Sequence, residues 1–226
     1  MSADYFFKKV FFQLASVGIA MFFLCICVYT GIIASAKRVF VGVSFYYLVT
    51  DDVKVEAGAE FAKLEGGAGY LLEYEGSEHV TLAVYLEESE GLAVQQNLQK
   101  TGRCTSLLHK GVSTLCFKGA EKQKGALYVN GLNGFKSYIC VLKEVIDGLA
   151  NGLTQEKCKN LLSVLLRQYK HAQVCFSAYQ PLCELLEQSF SRLSILVNDV
   201  VYLKDLRYLL CWQTEKYLAL CSEFSL

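Results

Sequence analysis

The residues from which a reactive site would be built are scattered along this chain. The three histidines, His79, His109 and His171, stand apart and outside any HExxH or CxxCH context, so each reads as a surface or capping residue. Ten cysteines are many for 226 residues. They form no CxxC pair and no histidine stands at zinc-finger spacing, so no metal site is expected. Cys25 and Cys27 fall in an apolar run as small apolar residues. Of the other eight (Cys104, Cys116, Cys140, Cys158, Cys175, Cys183, Cys211 and Cys221), the last five follow helical periodicity, and all eight read as small core residues. Unpaired cysteines in this number suit a reducing or anaerobic setting better than an oxidising one. Gly66-Gly67-Ala68-Gly69 has the composition of a phosphate loop, yet it follows a helical pattern and precedes a strand, the reverse of the order that aims amides at phosphate. The acidic pairs Asp51-Asp52 and Glu87-Glu88 close two strands alike. A carboxylate dyad or a Ca²⁺ site would use such residues, but capping of the helices that follow explains both. No catalytic residue, metal ligand or cofactor is expected, and the chain does not read as an enzyme.

Aromatic side chains on strands remain as the candidates for recognition: Phe45, Tyr47, Tyr70, Tyr74 and Tyr85. Rings on an uncovered sheet face stack on sugars or bases, whereas the same rings beneath a helix form core. Phe45, Tyr47, Tyr70 and Tyr85 are the expected ligand-binding residues. The charge distribution removes one class of ligand. Residues 39–117 carry five basic and eleven acidic side chains, while 1–38 carry four and one and 118–226 carry thirteen and ten. Nucleic acid needs clustered Lys and Arg, which the middle third lacks.

Three segments must position these residues. Val10 to Ala36 is a run of 27 residues without a charge, longer at about 1.5 Å per residue than the roughly 30 Å hydrocarbon core requires, so residues 1–38 read as a tail and a transmembrane helix. An uncleaved anchor fits the length of the run better than a signal peptide does. Lys8 and Lys9 balance Lys37 and Arg38, which leaves the orientation open. In the middle third, Val39 to Val49 is β-branched and aromatic. Val53 to Leu64 has helical spacing at positions 57, 61 and 64 before the glycine stop. Tyr70 to Tyr74 and His79 to Leu86 make a hairpin about Glu75-Gly76-Ser77-Glu78. A second helix carries Leu92, Val94 and Leu98, and Cys104 to Leu108 forms a fourth strand, with Val112 to Phe117 the candidate for a fifth. The order is that of a ferredoxin-like βαββαβ domain over 39–117, with Phe61, Leu64, Leu92 and Leu98 filling the face beneath the two helices. From 118 to 226 the pattern is helical: a stripe at 128, 132, 135, 139, 142, 146 and 149, a helix from Thr154, a third or a kinked continuation at Pro181, and a last one from about Leu203. Such stripes pack as a helical bundle, with each other or with a partner. The fold class expected is α+β, with the domain junction near Lys118-Gly119.

Phe45-Tyr46-Tyr47-Leu48-Val49 opening a small domain, and Val80-Thr81-Leu82-Ala83-Val84-Tyr85-Leu86 running into Glu87-Glu88-Ser89-Glu90 and a helix, give residues 44–110 a pattern that resembles the bacterial SPOR domain. Thr50-Asp51-Asp52 and Tyr85-Leu86-Glu87 depart from that family's usual strand exits. The resemblance implies a single-pass anchor in the cell membrane, an extracytoplasmic domain, and binding of peptidoglycan glycan strands in division or sporulation. The alternative is a membrane-tethered scaffold whose helical bundle docks a protein partner without glycan.

Overall fold

The computed structural model describes residues 37–50, 55–117 and 121–224. Its elements are β1 (Lys37–Thr50), α1 (Val55–Leu64), β2 (Tyr70–Tyr74), β3 (Ser77–Tyr85), α2 (Glu88–Lys100), β4 (Thr105–Phe117), α3 (Glu121–Ala150), α4 (Gln155–Cys175), α5 (Gln180–Asn198) and α6 (Leu203–Ser222). The described strands form one sheet in the order β2-β3-β1-β4, with β3 antiparallel to both β1 and β2. Residues 39–115 and 126–224 lie in one compact unit. The end of β4, where Cys116 and Phe117 are buried, and the start of α3 belong to a second, small one.

Strand pairing decides which side chains share a face. Tyr47 stands opposite Val84 and Val49 opposite Thr81, whereas Leu48 stands opposite Ala83. The register slips between Leu48 and Val49, so Leu82 is an extra residue in β3, and its carbonyl accepts instead from the Ala68 amide at 2.8 Å. The Tyr47 face is covered by α6. The Tyr47 hydroxyl donates to Thr214 Oγ1 at 3.0 Å, Phe45 meets Tyr217 edge to face at 6.1 Å, and Tyr70 meets Tyr208 at 5.3 Å. Beyond α6 lies the bundle: Gln213 Nε2 donates to the Tyr169 hydroxyl of α4 at 2.9 Å, and Phe135 of α3 stacks on both Tyr169 and Tyr217. With Leu209, Leu210, Cys211, Trp212, Gln213 and Thr214 all buried, the middle of α6 is enclosed all round between two layers, while Lys216 and Ala219 further on are exposed.

The opposite face carries α1 and α2, and these helices dock through small residues. In α1 it is Gly58 and Ala62 that are buried, and in α2 it is Gly91. A Cβ on Gly91 would stand 2.7 Å from a side-chain methyl of Leu107, so the helix backbone packs directly on that leucine with no room for a side chain of its own. Gly69, at φ +59, turns the chain from α1 into β2, and a Cβ there would sit 2.4 Å from the Ala59 carbonyl oxygen. At the bundle end, Thr154 caps α4 by accepting from the Lys157 amide, and Pro181 opens α5 as a separate helix. The Gln155 side chain pairs with both backbone groups of Val201, at 2.9 and 3.0 Å, tying the start of α4 to the loop before α6.

Three expectations are corrected. The transmembrane helix falls on residues outside the described ones, and among the described residues no helix is long and apolar enough to cross a membrane. The free-standing ferredoxin-like domain next to a separate bundle does not form. The sheet is instead the middle of a layered unit, because Val43, Phe45, Tyr47 and Val49 on one face of β1 and Leu48 on the other are all within 1% of complete burial. The face beneath α1 and α2 is not filled by large side chains, since Phe61 is 53% and Leu64 83% exposed, and Leu92 is exposed as well.

Candidate functional site

Close docking through Gly58, Ala62 and Gly91, with the large side chains turned outward, leaves α1 and α2 without a filled seam between them. A half-enclosed cleft results, in two lobes. One, of about 200 Å³, is walled by Leu48, Ala62, Leu82, Ala83, Val94 and Leu98 and bordered by Tyr85, Glu65, Arg103 and Arg207. The other, of about 190 Å³, lies toward Thr50, Gly58, Phe61 and Thr105. Ala62, Leu82, Glu65 and Arg103 line both lobes, so the bulge that sets Leu82 out of register also supplies the shared floor.

The polar groups of the cleft come from four places in the chain. Glu65, just past α1, forms an ion pair with Arg103 of the α2–β4 loop. Both side chains are partly exposed, so the pair is worth little to stability, and its effect is to hold two opposite charges at the boundary of the lobes. Arg207 reaches in from α6, where its Nη1 donates to the Gly66 carbonyl at 2.7 Å. It has no carboxylate partner among the described residues. Tyr85 lies under the ammonium of Lys143, 5.5 Å from the ring centroid, and that ammonium also meets Glu90 at 3.3 Å and Asp147 at 2.5 Å. Burial raises the Tyr85 phenol above its ordinary value and the nearby Arg207 offsets part of that rise, so at neutral pH the hydroxyl is a donor. At the far lobe Thr105 is 4% exposed. Its carbonyl accepts from Gln95 and Gln99 at 2.7 and 3.2 Å, while its Oγ1 is buried with no partner among the described residues.

The expected ligand-binding residues separate into two pairs. Phe45 and Tyr47 have no exposed surface and belong to the core between the sheet and α6. Tyr47 is raised well above the ordinary phenol, by burial first and then by Glu215. Tyr70 and Tyr85 are half-buried on opposite faces, Tyr70 against Tyr208 and Tyr85 at the cleft, so the four rings do not make one surface. Tyr74 lies against His79 at the hairpin, 6.5 Å between centroids. His109 lies against Tyr46, and His171 Nε2 is 3.5 Å from Cys175 Sγ at the end of α4. Asp51-Asp52 fall outside the described residues. Glu87 stands at the N-cap of α2 with no side-chain cap bond, and Glu88 and Glu90 occupy the first turn. No disulfide joins the eight described cysteines; Cys116, Cys158, Cys211 and Cys221 are buried core residues as expected, Cys140 and Cys183 are half-buried, and Cys104 and Cys175 are exposed, a correction to the reading of all eight as core. Burial raises Cys211 and Cys221, the latter to about 11.

Sequence reasoning did not find the cleft. Arg103 and Arg207 are far apart along the chain and share no motif. The available signal was Gly58, Ala62 and Gly91 at helix contact positions, which leave room that leucines would fill. No protein-family model matches the chain, and neither a curated protein nor a solved structure matches it, so the SPOR resemblance rests on the residues that carry it.

Proposed function

We propose that this protein is a small-molecule binding module rather than a catalyst, and that it binds in the cleft between α1 and α2. The observation that carries the reading is the cleft itself: apolar walls, a few convergent polar groups at the border, and an opening to solvent. Supporting it, the thiols and phenols with displaced proton affinities are all raised, by burial in the first place, which keeps them protonated and poorly nucleophilic at neutral pH.

Amide NMR tests this with three six-carbon probes, hexanol, hexanoate and hexylamine. At least one should shift the amides of Leu82, Ala83 and Val94, and Leu98→Trp, which fills the first lobe from its half-buried wall, should abolish the shifts. If no probe shifts these amides, the cleft is not a binding site. Retention of wall glycan, the activity the SPOR resemblance implies, needs another surface than Phe45 and Tyr47 provide; co-sedimentation with sacculi, with and without stem peptides, tests it.

A further inference from the structure

We infer that the cleft selects a monoanion: one carboxylate or phosphate-monoester head on a short apolar body, with the head at Arg207 and Arg103. This rests on the cleft being the binding site and adds the chemistry of its ligand. Two guanidiniums and one carboxylate, Glu65, border the first lobe, which leaves a single positive charge uncompensated there. Arg207 supplies it. A guanidinium has five N–H donors, of which the Gly66 carbonyl takes one, and its planar fork matches a carboxylate or phosphate oxygen pair. Arg103 keeps donors beyond its pair with Glu65, and the Tyr85 hydroxyl is protonated at the same border.

The walls determine the rest of the ligand. Leu48, Leu82, Val94 and Leu98 offer it no hydrogen bond, so the body that follows the head is aliphatic or an apolar ring. A lobe of about 200 Å³ has no room for the paired chains of a phospholipid, which makes the ligand a small soluble molecule. Glu65 repels a second negative charge placed near the boundary of the lobes, which disfavours dianions of the dicarboxylate type. The far lobe, which Thr105, Thr50 and Phe61 line, continues the space beyond the first and admits the end of a longer apolar body.

Calorimetric titration of the full chain with hexanoate, hexyl phosphate, hexanol and hexylamine tests the inference. One of the two anions should bind about ten-fold or more tighter than hexanol, and hexylamine should not bind. The hexanoate and hexyl phosphate arms distinguish the two head groups. Arg207→Gln should weaken the anion roughly ten- to hundred-fold, the usual worth of a charge-assisted hydrogen bond, and leave hexanol unchanged; Arg207→Lys should recover part of the loss. If Arg207→Gln lowers the melting temperature because the Gly66 bond is lost, Arg103→Gln and the fall of anion affinity with salt give the same readout in a folded protein. Equal binding of hexanol and the anions overturns the charge selectivity while leaving the cleft a site. Unchanged anion affinity in both arginine variants places the head elsewhere and overturns the assignment. No binding by any probe overturns the reading of the cleft itself.

Discussion

Replacing Tyr47 by alanine removes a ring that has no exposed surface, that stands opposite Val84 in the sheet, and whose hydroxyl donates to Thr214 Oγ1 at 3.0 Å. Aromatic-to-alanine changes at such sites cost about 3–5 kcal/mol, the lost transfer of the ring plus the cavity left behind. Tyr47→Phe removes only the hydroxyl and one buried hydrogen bond, at about 0.5–1.5 kcal/mol, so the ring carries most of the effect. Thr214 also donates to the carbonyls of Leu210 and Cys211, at 3.0 and 2.9 Å, and therefore stays satisfied in the phenylalanine variant, which argues for the lower part of that range. Urea unfolding followed by far-ultraviolet circular dichroism measures both. With a slope of about 2–3 kcal/mol per molar, Tyr47→Ala should lower the midpoint by about 1.5 M and Tyr47→Phe by less than about 0.5 M. A double-mutant cycle with Thr214→Val should show a coupling of about 1 kcal/mol between the strand and the helix. A midpoint for Tyr47→Ala within the spread of ordinary surface substitutions, about 0.5 kcal/mol, would show that the ring faces solvent and that α6 does not close this side of the sheet.

Because no disulfide joins the eight described cysteines, reductant should leave the melting temperature unchanged; native thiol titration should find the exposed Cys104 and Cys175 reacting first and Cys116, Cys158, Cys211 and Cys221 only on unfolding. Tyr70 is raised to about 12 and Cys221 to about 11, both above their unfolded values of about 10 and 9. The unfolded chain then loses these protons first as pH rises, so the stability they contribute is complete below about pH 9 and declines between about 9 and 12, which denaturation at stepped alkaline pH should show. Gly69→Ala combines φ +59 with a Cβ 2.4 Å from the Ala59 carbonyl oxygen and should destabilise by roughly 1–3 kcal/mol in the same urea assay; a neutral result would mean that α1 does not lie this close to the chain entering β2.

Local pattern in the sequence determined the elements of this protein. The β-branched and apolar run from Val80 to Tyr85 makes β3, the glycines at 66 and 67 end α1, and the stripe from Tyr128 to Leu149 makes α3 unbroken across four glycines, because each depends on neighbours within a turn or a strand pair. Which face of each element is buried was not so written. At the end of β1 Tyr46, Tyr47, Leu48 and Val49 put apolar side chains on both sides of the strand, so no alternation there distinguishes a ring turned toward solvent from one turned toward α6; that choice was made by Tyr217, Thr214 and Tyr208 arriving from the far end of the chain. The enclosure of the middle of α6, Leu209 to Thr214, likewise follows from its place between two layers, since its own stripe of leucines describes only one face. The cleft is the extreme case. Its walls come from β1, β3, α1 and α2 and its charges from residues 65, 103 and 207, so neither periodicity nor motif could bring them together, and only the close docking of two helices through glycine and alanine leaves the space they surround.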